Sequence, residues 1–196
     1  QPFYTLWRVG PYTFAPWKVV WPELGELRAA VVGEAPTPWG ESRMVVPEGK
    51  VNLVWRLATF IDDNYATSSP NPYSSYRASM AYGCAIDAGK SREYHNAVFA
   101  NQPETEGDGW TDAQLIAFGS DAGITGPELD TFTQCFTDRT YAGWAANSTD
   151  VFYTSNLPGT PFALLNGVEI PTATLVDQAA LEKVVADAAA GVTAPA

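Results

Sequence analysis

The sequence has few cysteines, few positive charges and no long apolar run. Only Cys84 and Cys135 occur among its 196 residues, and no Cys-x-x-C pair is present. Eleven Lys and Arg stand against 22 Asp and Glu, which gives a net charge of −11. This balance argues against a nucleic-acid partner, because affinity for a phosphate backbone comes from clustered Lys and Arg. No apolar run approaches the roughly 20 residues that a membrane span needs, so we expect no membrane insertion by this chain.

Residues suited to metal or acid–base chemistry are also scarce. His95 is the only histidine, and we expect a satisfied helix residue rather than a catalytic base. Asp62, Asp63 and Asp108 are interpreted as solvated acids in turns. His, Cys and carboxylate residues do not cluster at the spacing that metal ligands need. The sequence therefore predicts neither a metal site nor a cofactor.

Apolar and aromatic residues are abundant. Hydrophobic residues make up 46% of the chain, and there are seven Trp, nine Tyr and nine Phe. A chain of this length can bury a real core and suits one domain, with or without an insertion. Together with a charged fraction of only 17%, the aromatic content favours a dense, aromatic-rich surface or partner face.

The apolar pattern changes its period along the chain. Alternation over 51–57 predicts a strand, and the polar stretch 62–72 predicts a loop. Helices are predicted over 73–88, 94–100 with Ser91 as cap, 111–123, 127–137 and 140–153. The third of these has Thr111 as N-cap and Gln114 in a capping box, and the fourth has Pro127 in its first turn. Strands 162–165 and 168–170 then flank an Asn166-Gly167 turn, and a last helix runs over about 178–190.

Four segments carry a resemblance to a known family: Tyr-His-Asn-Ala-Val-Phe-Ala-Asn-Gln-Pro (94–103), Trp-Thr-Asp-Ala-Gln-Leu-Ile (110–116), Phe-Thr-Gln-Cys (132–135) and Pro-Gly-Thr-Pro (158–161). Over about residues 51–190 the chain resembles the DsbA-like thioredoxin-fold proteins that actinobacteria secrete or anchor at the cell envelope. The resemblance implies an α/β thioredoxin-like fold with an inserted helical domain. Residues 1–61 and 157–196 would form its two halves, and 62–156 the insertion.

The same resemblance implies a role for Thr160 and Pro161. In this family the proline is cis and exposes the backbone of the preceding residue. An extended peptide can pair with that backbone as an added strand. We therefore expect Pro161 to be cis and to face the segment around residues 15–18, with Thr160 and Pro161 as the peptide-binding residues.

The N-terminal segment departs from the family, and two interpretations stay open. In the first, Ala15, Pro16, Trp17 and Lys18 occupy the Cys-Pro-Trp-Cys position as a degenerate active site. Pro16 would then begin a helix that extends to about residue 32, with an apolar stripe on one face.

In the second interpretation, residues 3–54 resemble a segment of N6-adenine DNA methylases near their target-recognition region. That segment lacks the Asn-Pro-Pro-Tyr catalytic motif and a Gly-rich cofactor loop, so methylase activity is not expected. Residues 18–21 and 27–32 would then pair as strands. A fused or misassigned N-terminal sequence is compatible with this interpretation.

Cys84 and Cys135 lie on two predicted helices of the insertion. A structural disulfide between them would suit an exported domain, and closing a loop of that size contributes about 4 kcal/mol in the chain-entropy estimate. A redox-switch pair and a reduced pair of core cysteines are the alternatives. We expect the two Cα atoms to lie within disulfide reach, roughly 4.4–6.8 Å.

These observations favour a redox-inactive, extracytoplasmic DsbA-like module that binds a protein or extended peptide, for example within an envelope or membrane-associated assembly. One alternative is a thiol–disulfide oxidoreductase whose true Cys-x-x-C segment is not represented in this sequence. Another is a non-redox enzyme on the same scaffold, such as a glutathione-using isomerase, for which Tyr12 and Thr13 are the available activating groups.

Overall fold

The structure is a computed structural model that describes residues 4–9, 12–14, 41–45, 52–157, 162–165, 168–175 and 177–190. The predicted helix over 16–32, the alternative strands over 18–21 and 27–32, and the Asn166-Gly167 turn lie outside these residues.

Six strands form one sheet within the described residues. They are β1 (Tyr4–Val9), β2 (Tyr12–Phe14), β3 (Glu41–Val45), β4 (Asn52–Ala58), β5 (Leu164–Leu165) and β6 (Val168–Glu169). The order is β3-β4-β1-β5-β6, and β2 pairs with β1. Strand β1 runs parallel to β5, with Arg8 opposite Leu164, and β5 runs antiparallel to β6. Since parallel neighbours need a long crossover connection, the helices between β1 and β5 in sequence agree with the expected α/β fold.

Eight helices follow β4 in the described part of the chain. They are α1 (Ile61–Tyr65), α2 (Ser74–Asp87), α3 (Ser91–Ala100), α4 (Asp112–Asp121), α5 (Pro127–Thr137), α6 (Ala142–Thr154), α7 (Thr172–Leu175) and α8 (Gln178–Ala189).

Two local predictions are wrong. The segment predicted as a polar loop contains α1, and Ser91 is the buried first residue of α3 rather than its cap, since the N-cap is Lys90.

The sequence signals at the start of α4 and α5 are confirmed. The Thr111 hydroxyl accepts a hydrogen bond from the Gln114 backbone, and the Gln114 side chain accepts one from the Thr111 backbone. This reciprocal capping box satisfies two N–H groups that a helix start otherwise leaves unpaired. Pro127 occupies the first turn of α5, where its missing N–H costs nothing.

Contacts between Cα atoms divide the chain into two compact units. The first contains residues 57–155, which we call the helical unit. Helix α2 lies at its centre and contacts α3, α4, α5 and α6. Small residues such as Ala78, Ala81 and Ala85, all fully buried, let these helices approach α2 closely. The large buried side chains of this core are Tyr82, Tyr94, Trp110, Leu115, Ile124 and Phe132.

The second unit contains β1, β2, β3 from residue 42, β4 up to residue 56, and the described residues from 156 onward. Its buried side chains include Ala163, Leu165, Ile170, Leu181 and Val185. In α8, Leu181 and Val185 are four residues apart and therefore share one helix face. The helix predicted over about 178–190 is therefore present, with one buried face.

Candidate functional site

The residues expected to form the family-type active site lie outside the described part of the chain. These are the degenerate active-site positions Ala15, Pro16, Trp17 and Lys18 and the peptide-binding positions Thr160 and Pro161. The described residues contain the two cysteines and the helices that surround them, and the local site is built from these.

A disulfide joins Cys84 of α2 to Cys135 of α5. The two sulfur atoms are 2.03 Å apart and the Cα atoms 5.9 Å apart, across 51 residues of sequence. The prediction that these residues lie within disulfide reach is therefore confirmed. Cys84 is buried, whereas Cys135 is partly exposed. Since the sequence has no other cysteine, the protein in this state carries no thiol.

The helix that follows α5 also packs closely on α2. The ring of Tyr141 lies so close to Gly83 that a Cβ atom at position 83 would be 2.3 Å from a ring carbon. The Tyr141 hydroxyl donates a hydrogen bond to Asp87, 2.6 Å away, and the Tyr76 hydroxyl donates one to the carbonyl of Ala142. Burial and the Asp87 carboxylate both raise the pKa of Tyr141, so the phenol stays protonated and remains a donor. The disulfide thus lies beside other links between α2 and its neighbours.

The start of α2 is capped by a residue from another helix. Asp62 of α1 accepts hydrogen bonds from the backbone N–H groups of Ser75 (2.9 Å) and Tyr76 (2.8 Å). The residue at the N-cap itself, Tyr73, offers no side-chain bond. Asp62 is buried, so the prediction that it is a solvated turn residue is wrong. Burial raises the pKa of Asp62, and the two backbone hydrogen bonds oppose that rise.

Arg77 fixes the loop between α3 and α4 against the start of α2. Its guanidinium forms an ion pair with Asp112 and donates to the carbonyls of Trp110 (2.8 Å) and Asn71 (3.4 Å). The side chain is only 16% exposed. Its donors are therefore committed to neighbours within the fold.

A cleft of about 150 Å³ opens beside Arg77. Helices α2, α4 and the end of α5 line it with Arg77, Met80, Asp112, Ile116, Phe136, Thr137 and Arg139. This cleft was not predicted from the sequence. One feature of the sequence could have indicated it. Glycine follows the predicted ends of α2 and α4, whereas Arg139 follows the end of α5.

His95 lies on the inner face of α3. It is 2% exposed, and its ring stacks on Phe99 with centroids 4.3 Å apart. Desolvation lowers the pKa of His95 to about 3, so the imidazole is neutral near pH 7. A buried, neutral ring that faces the core agrees with the expected role as a helix residue in the core.

No three His, Cys, Asp or Glu side chains in the described ranges come together as metal ligands would. None of the described helices combines the length and apolar character needed to cross a bilayer.

The fold and a family model together define the class of protein. The thioredoxin family model matches residues 43–187, and the chain belongs to this family. The resemblance that the sequence predicted is confirmed at the level of family and fold. A search of curated proteins finds no match.

Several solved structures are similar to this chain. The DsbG disulfide bond oxidoreductase of Mycobacterium tuberculosis, in its reduced form, is 23% identical, with a TM-score of 0.55 and coverage of 78% of this chain and 73% of that one. Oxidised DsbA of M. tuberculosis is 24% identical, with a TM-score of 0.53 and coverage of 76% of both chains.

A third solved structure is matched over a shorter stretch. It is the thiol-disulfide oxidoreductase MdbA of Actinomyces oris, which is 21% identical with a TM-score of 0.48. The match covers 57% of this chain and spans 56% of MdbA.

Proposed function

We propose that this chain is a redox-inactive, DsbA-like module that binds protein or extended peptide segments outside the cytoplasm. One observation carries the proposal: both cysteines of the sequence are joined in a single disulfide between α2 and α5. Thiol–disulfide exchange requires an attacking thiolate. With the disulfide formed, this chain supplies none. A substrate thiolate can also attack a protein disulfide, but this one joins two packed helices across 51 residues and its Cys84 is 2% exposed, which supports a structural bridge.

The remaining parts of the proposal rest on the family and on the sequence. Ala15, Pro16, Trp17 and Lys18 would occupy the place of the catalytic dithiol without sulfur, and Thr160 and Pro161 would present backbone to an extended peptide. In this assignment residues 1–61 and 157–196 form the thioredoxin-like halves and 62–156 the helical insertion. A disulfide in so small a protein suits an oxidising compartment, which supports the extracytoplasmic location.

A second function is favoured by the extent of the family match. The match begins at residue 43, so the first 42 residues, where the dithiol would be expected, stand outside it. The solved DsbG named above is described as a disulfide bond oxidoreductase. The alternative is therefore an oxidoreductase whose Cys-x-x-C segment is not represented in this sequence.

Two activity assays separate these functions. The purified chain is assayed for insulin reduction and for refolding of scrambled ribonuclease, next to the variant Cys84→Ala/Cys135→Ala as a matched control. We expect both proteins to be equally inactive, because the parent's disulfide joins two packed helices and the variant has no sulfur at either position. Activity in the parent chain that alkylation under reducing conditions abolishes would contradict redox inactivity. Peptide mapping of residues 1–50 in the natural protein would reveal any Cys-x-x-C segment directly.

A binding assay tests the remaining half of the proposal. Carboxymethylated, unfolded ribonuclease has no thiols and serves as an extended-chain probe. We expect it to bind the chain, and we expect Pro161→Ala to weaken binding by about tenfold (roughly 1.4 kcal/mol). Pro103→Ala is the matched control and should leave binding unchanged. Equal binding by all three proteins would contradict the role given to Pro161.

A further inference from the structure

The cleft beside Arg77 has an apolar floor of defined size. Met80 and Phe136 are 2% and 5% exposed, and Ile116 packs beside them on the same core. A cavity of about 150 Å³ holds a benzene ring when it is lined by apolar side chains. The whole cleft therefore has the volume of one aromatic ring, and its lining is apolar on the floor and polar on the rim, where Arg77, Asp112, Thr137 and Arg139 lie.

Arg139, on the rim of this cleft, occupies a backbone position that normally belongs to glycine. Helix α5 ends in a Schellman motif, in which Arg139 N–H bonds to Phe136 and Thr140 N–H bonds to Cys135. Arg139 has φ of +55°, whereas the equivalent positions after α2 and α4 are Gly89 (+67°) and Gly123 (+85°). A left-handed conformation is unfavourable for an arginine. An unfavourable residue kept at the rim of a cleft points to a role in binding.

The charge of Arg139 is available to a ligand. The helical unit carries thirteen Asp and Glu but only four Lys and Arg. Arg77 is committed to Asp112 and to backbone carbonyls. Asp138, the residue before Arg139, accepts a hydrogen bond from Gln134 (2.8 Å). Arg139 is exposed and makes no side-chain hydrogen bond or ion pair with the other described residues.

We propose that this cleft is a second polypeptide-binding site, which takes an aromatic side chain next to a carboxylate in an extended segment of a partner. The aromatic ring occupies the floor formed by Met80, Ile116 and Phe136, and the carboxylate binds the Arg139 guanidinium. A planar guanidinium binds a carboxylate through two parallel hydrogen bonds. The acidic surroundings repel a segment with several negative charges more strongly than a segment with one. The site involves no thiol step and is independent of the function proposed for residues 160 and 161.

The test uses the full 196-residue chain and two short peptides, acetyl-Gly-Asp-Phe-Gly-amide and acetyl-Gly-Asn-Phe-Gly-amide. Nitrogen-15 chemical shifts follow each titration. We expect the Asp peptide to shift the amides of Met80, Ile116, Phe136 and Arg139, and to bind about tenfold more tightly than the Asn peptide. Equal affinities, or shifts confined to other parts of the chain, would overturn the proposal. So would binding of free N-acetylphenylalanine without binding of the Asp peptide.

Arg139→Gly separates binding from folding. It removes the charge and relieves the left-handed backbone, so we expect binding of the Asp peptide to weaken about tenfold while the melting temperature rises by about 2 °C. Lys90→Gln removes another positive charge from the same unit and should leave binding unchanged. Unchanged binding by Arg139→Gly would overturn the proposal. A lower melting temperature would also overturn it, because Arg139 would then serve the fold itself.

Discussion

The helical unit and the last helix, α8, are stabilised by side-chain bonds of different range. In the helical unit, side chains link residues that are far apart in sequence. The disulfide spans 51 residues, Asp62 caps a helix that begins twelve residues later, and Trp110 N–H bonds to the Ser74 hydroxyl. In α8, by contrast, Asp177 bonds to Ala180 N–H, and Lys183 pairs with Asp187. Long-range links tie separate helices into one unit, whereas bonds over three or four residues stabilise only the helix that contains them.

Removal of the disulfide should have the largest effect on stability, and this effect should be greater in the helical unit than in α8. The chain-entropy estimate for a loop of this length is about 4 kcal/mol. We expect Cys84→Ala/Cys135→Ala to lower the free energy of unfolding by about that amount, measured by urea denaturation of the oxidised parent and the variant. Amide hydrogen exchange should increase more in residues 74–87 than in 178–189. Equal increases in both segments would contradict the contrast between the two regions.

Acidification tests the core of the helical unit. The pKa of His95 in the folded protein, about 3, lies below the ordinary value of about 6.5 in an unfolded chain. The unfolded state therefore binds more protons between these values, so the contribution of His95 is present above pH 6.5 and is lost as the pH falls toward 3. We expect a loss of about 1.4 kcal/mol per pH unit from His95 in this range.

The control for this pH dependence is His95→Gln, which cannot take up the proton. Because His95 is the only histidine, the variant should flatten the stability curve between pH 6.5 and 5. The readout is the free energy of urea unfolding at each pH. A slope that is equally steep in the variant would assign the pH dependence to the carboxylates instead.

The elements that sequence predicted well are those whose signals are local. The Thr111–Gln114 capping box and Pro127 in a first turn each lie within one helix, and each is confirmed. The role of Asp62 could not be predicted in this way, because its partners belong to the next helix. Only the tertiary fold brings α1 to the start of α2.

The candidate sites show the same difference between features that the sequence pattern indicates and features that only the tertiary fold creates. The cysteine pairing followed from two residues on two helices of one insertion, and the structure confirms it. The cleft was missed because its lining comes from three helices and no motif joins them in sequence. The roles of Ala15–Lys18 and of Thr160 and Pro161 stay predictions, since these residues lie outside the described part of the chain.

Substitution of Asp62 tests whether a cap from another helix is stronger than a surface contact. We expect Asp62→Ala to lower the free energy of unfolding by about 2 kcal/mol, because the N–H groups of Ser75 and Tyr76 lose their acceptors. Asp63→Ala is the matched control. This substitution removes an exposed carboxylate from the same helix. Asp63 accepts a hydrogen bond from the Tyr153 hydroxyl, and we expect its removal to lower the free energy of unfolding by about 0.5 kcal/mol. Urea denaturation at pH 7 gives both values, and similar losses would contradict the capping role.

The smallest effect is expected from the ion pair within α8. Lys183 Nζ lies 2.6 Å from Asp187, and the lysine side chain is 73% exposed. Ion pairs four residues apart on a helix surface contribute about 0.3–0.5 kcal/mol. Lys183→Gln should therefore lower the free energy of unfolding by no more than that, and added salt should reduce the difference, because mobile ions screen exposed charges.

Lys183→Arg keeps the charge and should match the parent. Urea denaturation at low and high NaCl provides the measurement. A loss above about 1 kcal/mol that persists at high salt would show that Lys183 contributes more than a local surface pair.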